Sequence, residues 1–141
     1  MHILVVNCGS SSVKADIIEF PSQKSLHQLR IERIGRIGSG KLNGENVSIP
    51  ISDEYEIALK DSLKYFLQEW KGPEITGIDH RVVHDGADYA QPVLIDDQVK
   101  EAIAKMIPLV PLHNPVNLKG IEVCEQLFPD LLQIAVFDTA F

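Results

Sequence analysis

The N-terminal segment constrains the fold most, because it contains two apolar runs joined by a short polar turn. Residues 1–6 are mostly hydrophobic, and residues 13–18 interleave apolar and polar side chains. The sequence between them, NCGSSS, contains the glycine and serine that are common in tight turns. This pattern predicts two strands joined as a β-hairpin with a polar tip.

The polar tip has the chemistry to bind an anionic, oxygen-rich ligand. The serines at positions 10–12 offer hydroxyl donors. Gly9 allows a ligand to approach the backbone closely, and Lys14 adds a positive charge. The G-x-x-x-x-G-K-[ST] spacing of a Walker A loop is absent, and a strand is expected to follow. An ordinary serine-rich turn with a solvated lysine is the competing interpretation.

Composition limits the class of protein. With 141 residues and 45% hydrophobic content, the chain can form one globular domain with a core. Thirteen basic and twenty acidic residues give a net charge of -7, which argues against general binding to nucleic acid or to anionic membranes. Cys8 and Cys124 lack the spacing of a disulfide framework or a zinc site. A cytoplasmic protein is expected, because the sequence shows no secretion signal or membrane-length apolar run.

The segment after the hairpin predicts a third strand, a turn and a helix. Alternation of apolar and polar residues within residues 26–37 predicts a third antiparallel strand. Asn43-Gly44 is typical of a two-residue hairpin turn, which is expected in a segment exposed on the surface. Asp53 and Glu56 have the spacing of a capping box at the start of a helix. The apolar residues of that helix share one face at a period of 3.6. They are Leu59, Leu63, Phe66, Leu67 and Trp70, the last expected in the core or at its rim.

A second strand-like segment, residues 75–84, carries an arginine next to apolar residues. Arg81 and Val83 are two positions apart, so they share one face of a strand. A guanidinium beside an apolar wall suits a short-chain carboxylate. The alternative is an arginine held in a salt bridge at the end of the strand.

The C-terminal third predicts two helices and a buried strand. Asp96 and Asp97 can cap a short helix, and Asn114-Pro115 marks the start of a longer one that contains Cys124 on its buried stripe. His113 precedes the positive end of this helix, where it can donate to a phosphoryl oxygen or only fix the turn. The apolar run at residues 131–137 predicts a strand with Asp138 at its carboxyl end, where this residue can serve a site or cap the next turn.

Four segments resemble motifs of the acetate kinase family, in the same order. This family belongs to the superfamily of acetate and sugar kinases, Hsp70 and actin. The similar segments are V-N-C-G-S-S-S-x-K at residues 6–14, H-R-V-V-H at 80–84, P-L-H-N-P at 111–115 and F-D-T-A-F at 137–141. The family usually has glycine where this chain has Asp85, so the turn after the second motif differs.

The resemblance implies a ribonuclease-H-like, actin-like ATPase domain of the α/β class. Its mixed sheet would have three antiparallel N-terminal strands followed by helix-connected strands. The implied activity is reversible phosphoryl transfer between MgATP and acetate, which gives acetyl phosphate and ADP. The resemblance implies that Arg81, Val83 and Leu112 bind the carboxylate and its methyl group, and that Arg81, His113 and Asp138 act in catalysis. It also implies that the ATP phosphates are bound by Asn7, Ser10, Ser12 and Lys14. Asn7 and Asp138 are the implied ligands of Mg²⁺.

The resemblance covers only the N-terminal lobe of the family. Residues 1–141 are therefore expected to lack the second, nucleotide-binding lobe and to be inactive alone, and the full-length protein is expected to form a homodimer. Two alternatives stay open at this point. One is a preference for propionate or butyrate, and the other is a non-catalytic lobe that binds an acyl or phosphate anion and needs a partner.

Overall fold

The computed structural model describes residues 1–84, 93–105 and 114–139. Within these ranges, the backbone alone is described for residues 83, 84, 102–105, 114, 115 and 137–139. The strands are β1 (His2–Cys8), β2 (Val13–Glu19), β3 (Lys24–Glu32), β4 (Ser39–Leu42), β5 (Glu45–Val47), β6 (Gly77–His84), β7 (Val93–Leu94) and β8 (Gln133–Thr139). The helices are α1 (Tyr55–Gln68), α2 (Asp97–Lys105) and α3 (Asn114–Leu127).

In the described residues, all strands belong to one mixed sheet with the order β5-β4-β3-β2-β1-β6-β8-β7. Strand β6 runs parallel to both β1 and β8, and the other neighbouring pairs are antiparallel. The parallel pairs are joined by long crossover connections that contain helices, as is usual for parallel strands. The predicted mixed sheet, with three antiparallel strands at its N-terminal end, is confirmed.

The helices cover one face of this sheet. Alternate residues of β1, namely Leu4, Val6 and Cys8, are buried in a core cluster with Leu63 and Phe66 of α1 and with Cys124 of α3. Burying each large apolar side chain of this kind contributes about 1.5–3 kcal/mol. Helix α2 packs on α3 and extends the same layer. The opposite face of β1, β2 and β6 carries no helix from the described residues, and we call it the open face.

Several predicted elements have different ends in the structure. Strand β3 ends at Glu32, because Arg33 adopts φ 57° and Gly35 adopts φ 92°, which turn the chain away from the sheet. The turn at Asn43-Gly44 is confirmed, with φ values of 52° and 84°. The hairpin that it closes is part of the main sheet, since β4 pairs with β3.

The predicted capping box is wrong. Helix α1 begins at Tyr55, and its cap residue is Glu54, which is extended and makes no side-chain capping hydrogen bond. The Glu54 N–H instead donates to Ser52 Oγ at 3.1 Å. The cap of α2 is confirmed, because Asp96 Oδ1 accepts from the Val99 N–H at 2.9 Å. Strand β7 was not predicted, because two residues are too short to show a pattern.

Two further expectations about buried side chains are confirmed. Cys124 is fully buried within the core. Trp70 lies at the rim, where its Nε1–H donates to the Pro73 carbonyl at 2.8 Å. Among the described residues, no helix is both long and apolar enough to cross a membrane.

Candidate functional site

Three polar residues from separate parts of the sequence lie side by side on the sheet. Asn7 of β1 pairs with Lys14 of β2 in antiparallel register and with Arg81 of β6 in parallel register. Partners in register on neighbouring strands are about 5 Å apart and share a face. Cys8, the next residue of β1, is buried under the helices, so this row lies on the open face.

The row lines a pocket with a volume of about 340 Å³. Two further charged residues, Arg30 and Asp16, complete its polar lining, and Val5 and Ile18 supply its apolar part. Arg30 Nη1 is 2.6 Å from Asp16 Oδ1, so this arginine is engaged within the surface. A larger concavity of about 500 Å³ lies near the ends of α1 and α3, but none of the sequence-predicted site residues line it.

Arg81 is oriented by a neighbouring carboxylate that the sequence analysis did not single out. Its Nη2 atom lies 3.3 Å from Asp79 Oδ2, and its side chain is 39% exposed. Two residues separated by one position project from the same face of a strand, so Asp79 can hold one edge of the guanidinium. The D-x-R spacing was the available signal. The salt bridge and an anion-binding role are compatible, because a guanidinium has five N–H donors.

The predicted phosphate-binding turn, residues 9–12, is compact. The Gly9 N–H donates to the Ser12 carbonyl at 3.0 Å, and the Ile34 N–H donates to the Ser11 carbonyl at 2.9 Å. A methyl group at Gly9 would collide with Ser12 Oγ, so the Ser12 side chain would have to rotate if any other residue stood there. Ser10 at the tip and Lys14 beyond it are exposed, and Ser12 is half-buried. The turn therefore lies directly beside the row of Lys14, Asn7 and Arg81.

A buried asparagine of α3 joins the two central strands at the site. Asn117 Nδ2 donates to the Cys8 carbonyl at 3.2 Å and to the Arg81 carbonyl at 3.5 Å. The side chain is buried, with 4% exposure. Asn117 was not predicted from the sequence, although a polar residue on the apolar stripe formed by Ile121 and Cys124 is a usable signal.

Titratable groups beneath the site are kept neutral by burial. Burial raises the pKa of the Cys8 thiol to about 12, although its interaction with Tyr55 acts in the opposite direction. Burial, and secondarily the interaction with Cys8, also raises the pKa of the Tyr55 hydroxyl. Burial lowers the pKa of His80 to about 4, opposed by its hydrogen bond with Gln133. These groups support the site as neutral packing and hydrogen-bonding residues at neutral pH.

The remaining sequence-predicted residues are described in part or not at all. Val83 pairs with Asp138 in the parallel register of β6 and β8, so both backbones lie at the same edge of the sheet as Arg81. Their side chains are outside the described atoms. Leu112 and His113, and also Asp85, lie outside the described residues. The structure therefore brings together Asn7, Ser10, Ser12, Lys14 and Arg81, and their predicted roles stay predictions.

The donor chemistry of Asn7 and Asp138 is suitable for magnesium. The described residues contain no group of three or more His, Cys, Asp or Glu side chains that could hold a metal ion. Magnesium is commonly bound by one or two protein oxygen ligands, with water and substrate phosphates in its other positions. An amide oxygen and a carboxylate are hard oxygen donors of this type. Asn7 is exposed on the open face, where such an ion could be reached from solvent.

Three comparisons with known proteins agree on the relationship. The acetate kinase of Clostridium botulinum (strain 657 / Type Ba4) is 46% identical over the whole chain, which covers 38% of that protein. The crystal structure of Porphyromonas gingivalis acetate kinase has a TM-score of 0.82 and 39% identity, over 99% of this chain and 38% of that one. A propionate kinase from Francisella tularensis subsp. tularensis SCHU S4 has a TM-score of 0.85 and 39% identity, over 97% of this chain and 36% of that one.

These similarities confirm the expected actin-like ATPase fold. The chain spans less than two fifths of the length of these relatives. The sequence model of the Acetokinase family matches residues 2–141. Because that match includes nearly every residue, the chain belongs to the acetokinase family.

Proposed function

We propose that this chain is the carboxylate- and phosphate-binding lobe of a kinase that transfers a phosphoryl group reversibly between MgATP and acetate. The observation that supports this most is the in-register row of Lys14, Asn7 and Arg81 beside the serine-rich turn. Two cations flank an amide within two strand spacings, about 10 Å. That span matches a small carboxylate placed next to a phosphate chain. Membership of the acetokinase family supports the same assignment.

The chemistry requires positioning more than covalent participation by the protein. A carboxylate oxygen forms a bond to the γ-phosphorus while the bond from that phosphorus to the ADP oxygen breaks. Negative charge develops on the transferring oxygens and is neutralised by fixed donors. Arg81 would hold the carboxylate, with Asp79 fixing the orientation of its guanidinium. Lys14, Ser10 and Ser12 would bind the nucleotide phosphates.

The other predicted residues complete this assignment. Val83 and Leu112 would line the methyl pocket, and His113 would donate to a phosphoryl oxygen. Asn7 and Asp138 would hold Mg²⁺, which neutralises phosphate charge when it is bound. These roles follow from the family resemblance of the motifs that contain the residues.

A propionate kinase is the second candidate. The Francisella tularensis propionate kinase has a TM-score as high as that of the acetate kinase from Porphyromonas gingivalis, at the same identity. Acetate and propionate differ by one methylene group, which a pocket distinguishes by only about 1–3 kcal/mol. The two activities therefore need to be compared directly.

We further propose that the adenine side of the active site is supplied by a second lobe. The chain covers 38% of its Clostridium botulinum relative. Both reactants must be held in line for transfer, so residues 1–141 alone are expected to form no acetyl phosphate. Homodimerisation and a cytoplasmic location are assigned to the longer protein on family grounds.

A chimaera tests this function. Residues 1–141 would be joined to the remaining part of the Clostridium botulinum acetate kinase, and acyl phosphate formed from ATP would be trapped as the hydroxamate. We expect turnover with acetate or propionate that requires Mg²⁺, and none from residues 1–141 alone. A chimaera that shows a cooperative thermal unfolding transition but no turnover would refute the proposal. Turnover by the isolated chain would refute the need for a second lobe.

A further inference from the structure

The side chain of the first residue of α1 contacts the predicted phosphate-binding turn. Tyr55 is the first residue of α1, and its hydroxyl donates to the Ser12 carbonyl at 2.8 Å. Its ring is half-buried and packs against the core cluster. A tyrosine in this setting combines a large apolar contact with one polar group that needs a partner. The Ser12 carbonyl of the turn accepts from this hydroxyl, which also interacts with the buried Cys8 thiol.

The Ser12 carbonyl accepts two hydrogen bonds from the protein. One comes from the Gly9 N–H at 3.0 Å and the other from the Tyr55 hydroxyl at 2.8 Å. A carbonyl oxygen has two lone pairs, so its acceptor capacity is filled. The neighbouring Ser11 carbonyl accepts from the Ile34 N–H. Both of these partial negative charges are thus engaged by donors within the protein.

Three backbone N–H donors of the same turn, unlike these carbonyls, have no backbone partner among the described residues. Within the described part of the chain, no backbone hydrogen bond is made by the N–H groups of residues 10, 11 and 12. The Gly9 N–H is engaged within the turn, but the next three N–H groups, together with the engaged Ser11 and Ser12 carbonyls, give the turn a polarity that suits an anion. Lys14 adds a positive charge next to it. The hydrogen bond from the Gly9 N–H to the Ser12 carbonyl closes the turn, and the Tyr55 hydroxyl is the second group that holds this carbonyl.

We infer that Tyr55 is a positioning residue for anion binding by the turn at residues 9–12. Its hydroxyl keeps the Ser12 carbonyl engaged with the protein, so that the turn offers its donors to a phosphate group. The inference rests on the proposed function, since it names a residue that supports the phosphate side of that site. Tyr55 itself is not placed in contact with the ligand.

The test compares two conservative variants of the same helix. Tyr55→Phe keeps the ring and removes the hydroxyl. Tyr65→Phe is the matched control, because Tyr65 also packs against the core and its hydroxyl makes no hydrogen bond with any described residue. Two quantities are measured by NMR on the ¹⁵N-labelled chain. The first is the water-exchange rate of the Gly9 and Ile34 amides, and the second is the affinity for inorganic phosphate from shifts of residues 9–14.

Tyr55→Phe is expected to raise the exchange rate of the Gly9 amide and to weaken phosphate binding, each by about three- to tenfold, as expected for one lost hydrogen bond. Tyr65→Phe should change neither quantity. Amides of the core strand at Leu4 and Val6 serve as the reference for global stability. They should exchange equally in Tyr55→Phe and Tyr65→Phe.

Three results would overturn the inference. Equal exchange and equal phosphate affinity in the two variants would show that the hydroxyl does not position the turn. A rise in exchange shared equally by Leu4 and Val6 would indicate general destabilisation. Faster exchange at Gly9 without any phosphate-induced shift in the wild-type chain would leave Tyr55 with a purely structural role. That last result would also count against the proposed phosphate site, whereas the first two would not.

Discussion

Asn7 and Arg81 lie opposite each other on the parallel strands β1 and β6. The Asn117 amide binds the carbonyl of Arg81 and that of Cys8, the residue after Asn7. The two strands are therefore fixed against sliding at the point where the proposed phosphate and carboxylate groups meet. A shift of about 1 Å between such groups can reduce a reaction rate by about 10²-fold.

Arg81 provides the most direct test of the proposed carboxylate site. In the chimaera, Arg81→Ala should raise the apparent KM for acetate and lower kcat/KM by about 10²-fold or more, because the ligand loses its orienting fork. Arg81→Lys should retain little of the wild-type kcat/KM, because an ammonium group cannot form the same paired contacts. Arg36→Ala is the control, since Arg36 is exposed and forms no ion pair with any described residue. Wild-type kinetics in Arg81→Ala would remove this residue from the site.

Asn117 should contribute to both stability and geometry. Asn117→Asp has nearly the same shape but replaces the donor with a charge facing two carbonyl oxygens. We expect a loss of about 2–4 kcal/mol in the free energy of unfolding, measured with urea. The control is Asn46→Asp at an exposed position of β5, which should change stability by less than about 0.5 kcal/mol. Similar losses in the two variants would contradict a role for Asn117 in joining the strands.

Gly120 marks a close contact between α3 and β1. A methyl group there would lie 2.9 Å from Cys8 Sγ. Alanine favours a helix over glycine by about 1 kcal/mol, but overpacking costs about 1–3 kcal/mol. We therefore expect Gly120→Ala to destabilise the wild-type chain by about 1 kcal/mol. In the Cys8→Ala background, which removes the sulfur, the same change should be neutral or stabilising. If thermal unfolding shows that Gly120→Ala stabilises the wild-type chain and destabilises the Cys8→Ala variant, the contact with Cys8 Sγ does not limit packing.

His80 predicts how stability depends on pH. Burial lowers its pKa to about 4, compared with 6.5 in an exposed histidine. Between these values the unfolded chain binds a proton that the folded chain does not. The stability contributed by neutral His80 is thus complete above pH 6.5 and is lost as the pH falls towards 4, by on the order of 3 kcal/mol. Urea unfolding across this interval should give a shallower pH dependence in His80→Gln. A parallel dependence in the two proteins would contradict this account.

The two cysteines should be unreactive in the folded protein. Cys8 has 4% exposure and Cys124 has none. Burial raises the pKa of both thiols, that of Cys8 to about 12, so very little thiolate is present near neutral pH. A chromogenic disulfide reagent should label the native chain very slowly and label both thiols rapidly in urea. Rapid labelling of the native chain would show that the core opens readily near β1.

Local features of the sequence were enough to predict most of the elements. The two apolar runs on either side of residues 7–12 predict the first hairpin, and the spacing of Leu59, Leu63 and Phe66 predicts the buried face of α1. Asn43-Gly44 predicts its turn, because these residues tolerate positive φ values. Each of these signals depends on interactions within a few residues of the same segment. The capping box failed because a spacing of residues does not determine where the first helical turn begins.

The arrangement of the site was decided by the tertiary structure. Periodicity indicates which face a strand residue occupies, but it does not indicate which strand lies next to it or in which register. The pairing of Asn7 with Arg81, the ion pair of Arg81 with Asp79, and the hydrogen bond from Tyr55 to Ser12 all follow from the packing of the folded chain. The sequence by itself determined the residue types and the family to which they belong. Only the folded sheet and its helices placed those residues beside one another, because contacts between distant segments form only when the core is packed.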